Sequence, residues 1–348
     1  MPLHAASASE SIPVTLQLDF AGAKAMIRVL EQDSLSEAAI DELLHIHGVR
    51  AMVDNVTRFI PRLGIPEFRS EIHHFTQKKR AGDHEEFQLS HVWRERTRVR
   101  DLVNAIQADE SGILRETLSL LEPYRPNTGP LSIQVYFVAG GVSDGFVFND
   151  DRSFYINLVR AGGDCHEVIA NVVHEAYHVM QVAAQKQSGT YTDWGADDVM
   201  PYAERVLAGT LIEGTATYVA DPARLTAPAG SLRTARKRYL RSADPVRIAE
   251  NFAVFDAVMQ GLREGTMTWP EASEKGFTRS PVNEDRFYFV GYEMAKAIER
   301  HCGTTCIPRF FEQPPVEFFR QYITLYREHP EIQWHFAPET EKYIMELM

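Results

Sequence analysis

Within the stretch Asn171–Met180, His174, Glu175 and His178 stand in the spacing His-Glu-x-x-His. Residues four apart on a helix lie one above the other, about 5–6 Å apart at Cβ, so two imidazoles so placed can converge on one cation. Zn²⁺ takes imidazole nitrogen at about 2.0–2.1 Å, and catalytic sites use three protein ligands with the fourth position left for water. Glu175, next to the first histidine, would lie beside that water as the general base of a hydrolysis. Val168, Ile169, Val172, Val173, Tyr177, Val179 and Met180 make Cys165–Gln185 a helix that is apolar almost all round, and therefore buried. Two imidazoles and a carboxylate in such a helix need partners, because unpaired buried polar groups are costly. A metal would supply them.

The five-residue pattern arises by chance often enough that a second observation is needed. Leu211–Asp221 provides one, as a second apolar helix carrying one acid within it, Glu213, 35 positions beyond His178 and ahead of the terminal Asp221. Leu211, Ile212, Ala216 and Val219 would bury that carboxylate, and burial without a cation would neutralise it. The small Gly214, Thr215 and Ala216 would let this helix approach the first closely. With these residues the sequence resembles the gluzincins, zinc peptidases in which the two histidines of His-Glu-x-x-His and a glutamate from a following helix hold the metal. Glu213–Tyr218, in the form Glu-Gly-x-Ala-x-Tyr, is similar to the third-ligand helix of several zinc-peptidase families of that clan. The resemblance implies one Zn²⁺ per chain on His174, His178 and Glu213, Glu175 as base, and a peptide or protein substrate. No glycine and histidine follow His178 at the short spacing of metzincins.

Peptide hydrolysis passes through a tetrahedral oxyanion, and a donor aimed at that charge is worth about 3–4 kcal/mol. The segment Arg286–Glu299 contains Tyr-x-x-Gly leading into a helix, similar to a late segment of the same families. Tyr288 is the first choice as donor, Tyr292 the second and His301 a distant third. A tyrosine packed in a core with its hydroxyl paired is the competing reading for either. The resemblance covers about residues 131–303.

The surrounding chain sets bounds on this chemistry. Its 348 residues suit one large domain or two modest ones, and 44% hydrophobic and 24% charged residues are ordinary for a soluble globular protein. A net charge of −12 argues against nucleic acid and anionic membranes as partners. Met1–Pro13 lacks the pattern of a secretory signal, and no run of about 18 apolar residues occurs, so a cytoplasmic protein is expected. Cys165, Cys302 and Cys306 are too few for a disulfide framework. Cys302 and Cys306 read as small buried thiols rather than a metal or redox pair.

The spacing predicts a strand at Val14–Asp19 and helices at Ala23–Glu31, Ser36–His45 (capped by Asp33 or Ser34), Val49–Phe59, Pro66–Arg80, Glu85–Gln107 and Gly112–Leu121. The Pro/Asn/Gly-rich Pro123–Pro130 marks a junction, so residues 1–125 are expected as a mostly helical N-terminal region and 126–348 as a zincin-like catalytic domain. Strands follow at Leu131–Val138, Gly145–Asn149 and Ser153–Val159, around a turn at Asn149-Asp150-Asp151. The resemblance implies that Val142–Phe148 is an edge that binds substrate backbone in extended form, with an ordinary hairpin as the competing reading. The expected fold is α+β and predominantly helical, with a small sheet over two metal-ligand helices.

Thr217 is a candidate to orient a ligand. Gln185–Met200 and Trp269–Asp285 read as loops near the site, and the arginines of Pro222–Val246 as a solvated helix face or a site for an acidic group. His166 lies too far along its helix to bind the same ion. Two rival functions share these residues: a non-catalytic zinc-binding regulatory protein, and a metal-dependent hydrolase of a non-peptide amide or ester.

Overall fold

A computed structural model describes residues 14–148, 152–191, 193, 200–278 and 285–347. Met1–Pro13, the Asn149-Asp150-Asp151 turn, residues 192 and 194–199 of the polar loop, and residues 279–284 before Tyr288 lie outside the described residues. Strand β1 (Val14–Asp19) is followed by six helices: α1 (Ala21–Leu30), α2 (Glu37–His45), α3 (His47–Phe59), α4 (Ile65–Lys78), α5 (Leu89–Ala108) and α6 (Glu110–Leu121). Strands β2 (Leu131–Val138), β3 (Gly145–Val147) and β4 (Ser153–Asn157) come next, then α7 (Cys165–Ser188) and α8 (Tyr202–Val219). The chain closes with α9 (Arg233–Ser242), α10 (Pro245–Arg263), α11 (Trp269–Gly276), α12 (Arg286–Cys302), α13 (Val316–Glu328) and α14 (Pro338–Glu346). The fold is α+β and mostly helical, and none of the described helices is long and apolar enough to cross a membrane.

The four strands form one sheet in the order β1-β2-β4-β3. β1 runs parallel to β2, with Val14–Asp19 in register with Leu131–Tyr136, and β2 runs parallel to β4. β3 is antiparallel to β4 and leaves its other edge open. β1 lies within the first 125 residues, so the N-terminal stretch and the rest of the chain share this sheet. β4 is buried throughout and β2 on alternate residues, as the sequence alternation requires.

Three features depart from the sequence reading. The cap of α2 is Ser36, whose Oγ accepts from Ala39 N, rather than Asp33 or Ser34. Residues expected as loop after Trp269 begin instead with α11, because Thr268 and Glu271 form a capping box and Pro270 sits in the first turn, where its missing N–H costs nothing. Cys302 and Cys306, read as thiols, are joined in a disulfide with Cα atoms 6.0 Å apart. They lie one turn apart where Gly303, at φ 90°, ends α12 and lets the chain fold back. Cys165 is free.

Candidate metal centre and active site

α7 starts at Asp164, which accepts from His166 N, and stops at Gly189 in the left-handed conformation. Between these caps it is buried nearly throughout, and one turn carries His174, Glu175 and His178. α8 brings Glu213 to the same point. His174 Nε2 and His178 Nε2 are 3.0 Å apart, and Glu213 Oε2 lies 3.4 Å from the first and 3.3 Å from the second. Ligand atoms at about 2.0–2.1 Å from a tetrahedral centre stand about 3.3–3.4 Å from one another. The triangle therefore has the size of three corners of a zinc tetrahedron.

The electrostatics favour a cation there. Burial pushes His174 down to about 4, so its ring is neutral. Burial also opposes charge on His178, but the Glu213 carboxylate outweighs it and raises that ring to about 9. Glu213 is in turn held well below the usual carboxylate range, because His178 outweighs its burial. The shifts of His178 and Glu213 come from each other, a buried carboxylate drawing positive charge to its side, and a divalent ion would take the place of that proton. Glu175, buried beside them, is pushed up to about 8 by desolvation. Its carboxylate lies against β3, where a Cβ at Gly145 would come within 2.5 Å of Glu175 Oε1. Any larger residue at that point of the edge strand would displace the Glu175 side chain.

The orientation of His178 is set by a residue the sequence reading missed. Gln181, one turn on, accepts through Oε1 from His178 Nδ1 at 2.8 Å, and its amide nitrogen donates to Ile212 O at 2.9 Å and Thr215 Oγ1 at 2.8 Å. With its oxygen facing the ring, Gln181 holds the hydrogen on Nδ1 and leaves Nε2 free for a metal. Thr217, a candidate to orient a ligand or to bond the helix backbone, is buried with no hydrogen-bond partner for its hydroxyl among the described residues. Helical spacing from His178 was the signal that would have found Gln181.

Gly214 does not serve the approach to α7. A Cβ there would lie 2.3 Å from Gly291 Cα on α12, and one at Gly291 would lie 2.2 Å from Thr210 O. The two glycines let α8 and α12 cross with backbones in contact. One turn before that crossing Tyr288 stacks parallel to His174, with ring centroids 6.4 Å apart and planes 8° from parallel. Tyr292 faces elsewhere, its hydroxyl donating to Asp221 Oδ2 at 2.6 Å. His301 lies at the opposite end of α12.

Two arginines from the basic stretch are packed inward rather than solvated. Arg224 packs between the rings of Tyr124 and Tyr218. Arg238 pairs with Asp285 at 3.0 Å and lies 5.7 Å from the centre of the Tyr288 ring. It thereby braces the first turn of α12.

His174, Glu175, His178, Glu213 and Tyr288 line a cavity of about 560 Å³. β3 contributes Gly145, Phe146 and Val147, and Trp269 and Phe277 form an apolar side. The far wall comes from α3, through Asn55, Arg58 and Phe59. No feature of the sequence assigned the N-terminal helices to this cavity.

The model of the family described as "Putative zinc dependent peptidase (DUF5700)" matches residues 40–331. The match spans most of the chain, including α3 and all three candidate ligands, and the chain belongs to this family. No curated protein and no solved structure matches it.

Proposed function

We propose that the protein is a zinc-dependent peptidase of gluzincin type, with a zincin-like arrangement of sheet and ligand helices around one Zn²⁺ held by His174, His178 and Glu213. The observation that carries this reading is the triangle of donor atoms, 3.0–3.4 Å on a side, with Glu175 half-buried beside it. The family description supports it. Bound there, zinc would supply Lewis-acid polarisation of a carbonyl and acidification of water.

The chain's own residues do the rest. Glu175 takes the proton from the attacking water and returns it to the leaving amine. Its raised proton affinity, due to burial, suits a base that must also act as an acid. Tyr288, on the cavity wall, donates to the oxyanion as it forms. The open edge of β3 pairs with an extended backbone, which favours a peptide over a small ester. Gly145 lets that strand run against Glu175, so a scissile bond held on the edge lies beside the base.

Glu175→Gln tests the assignment. The variant is expected to hold zinc as the wild type does and to lose about 10²–10⁴-fold in turnover of a peptide library. Equal turnover in the two proteins refutes the role of Glu175, and a wild type that holds zinc but cleaves ester or amide substrates in preference to peptides refutes the substrate class.

A further inference from the structure

We infer a second metal site, structural rather than catalytic, made by His301, His329 and Glu331. One donor atom from each lies within 4.8 Å of the others. Among the described residues only two sets of three such groups meet this condition, and the other is the catalytic centre. The imidazole rings of His301 and His329 are 4.0 Å apart at an angle of 33°, and His329 Nδ1 is 3.5 Å from Glu331 Oε1. His301 Nε2 is buried and has no hydrogen-bond partner among the described residues.

Ring stacking alone would explain the short distance between the imidazoles. It does not pair the buried nitrogen, which costs free energy when left unsatisfied. An ion pair between His329 and Glu331 would likewise leave His301 without a partner. A divalent ion satisfies all three groups together. Two imidazoles and one carboxylate suit zinc, copper or nickel, whereas calcium and magnesium require oxygen ligands.

The place of the site indicates its role. His301 is in the last turn of α12, while His329 ends α13 and Glu331 follows it. Bridging them ties together residues 28 positions apart in sequence. Tyr288 lies 13 residues back along α12, or about 20 Å at helical rise, so the two sites are separate. Glu331 is exposed and the two rings are half-buried, so water would complete the coordination. An ion there fixes α12 at the end opposite the catalytic tyrosine, next to the Cys302–Cys306 disulfide.

The inference concerns a different set of residues from the peptidase reading and is tested without measuring activity. Zinc stoichiometry would be determined after dialysis of the full chain, for wild type, His174→Ala/Glu213→Ala, His301→Phe and the combination. Phe at 301 keeps the ring stack and removes the donor. Two ions in wild type, one in either variant and none in the combination are expected. Zinc should raise the melting temperature of His174→Ala/Glu213→Ala but not of the combination. Loss of the His301 donor should weaken the second ion by more than the roughly 10–100-fold that an outer-shell change costs. Unchanged stoichiometry in His301→Phe overturns the site. So does a folded His174→Ala/Glu213→Ala chain that binds no zinc. Should that variant fail to fold, the comparison of wild type with His301→Phe decides the question.

Discussion

α8 meets its two neighbours at the metal centre by different means. Against α12 it presents bare backbone, Gly214 on Gly291, with no room for a single added carbon. Against α7 it presents a hydrogen-bonded chain, in which Gln181 joins His178 to Ile212 O and Thr215. The first contact sets how near the helices come and hence where Tyr288 stands. The second sets which way an imidazole points. A steric contact of this kind fails through the fold, and a polar one through the chemistry.

The strongest way to break the comparison is to fill the crossing. Gly291→Leu is expected to destabilise the protein by about 3 kcal/mol or more, since its side chain would meet the backbone of α8, and to remove zinc as Glu213 shifts. Thermal melts and metal content check this, and a variant with unchanged Tm and zinc would mean that the crossing positions nothing. Next comes the pair of tyrosines on either side of Gly291. Tyr288→Phe should lower kcat by about 10²–10³-fold while Tm and zinc stay unchanged. Tyr292→Phe should leave kcat alone and cost about 1–3 kcal/mol, because Asp221 loses its donor. The reverse outcome would exchange their roles.

The polar contact calls for smaller changes. Gln181→Leu should weaken zinc binding about 10–100-fold in a chain that still folds, as measured by competition with a chelator. Thr217→Val removes a buried hydroxyl that has no partner, so stability and zinc affinity should hold to within about 0.5 kcal/mol. A large loss there would make Thr217 the orienting residue after all.

The sequence showed the parts of this site that follow from one helix at a time. His174 and His178 are a matter of helical spacing, and Glu213 stood out as an acid set among Leu211, Ile212, Ala216 and Val219. The strand Val14–Asp19 was legible from its alternation and has those bounds in the fold. What one helix cannot show is which surface it meets. Gly214 was read as a contact with the first ligand helix, but a glycine carries no record of its neighbour, and that neighbour is Gly291. Arg238 looked like one more solvated cation because its partner, Asp285, is 47 residues away. The cavity wall from α3 depends on a sheet that brings together segments more than a hundred residues apart. α11 was legible in principle, since Thr268 and Glu271 stand at capping-box spacing, but Pro270 between them suggested a break.

The pairing of β1 with β2 bears on how this protein can be divided. A chain begun at residue 126 would retain every proposed ligand, yet it would strip the partner from Leu131–Tyr136. The uncovered edge reads Leu-Ser-Ile-Gln-Val-Tyr-Phe-Val, long, uncharged and without proline. Such an edge is a template for other strands, so the shortened protein would seek its own copies and aggregate. The opening strand acts as a selvedge: six residues near the N-terminus keep the sheet behind the metal centre from fraying into other molecules.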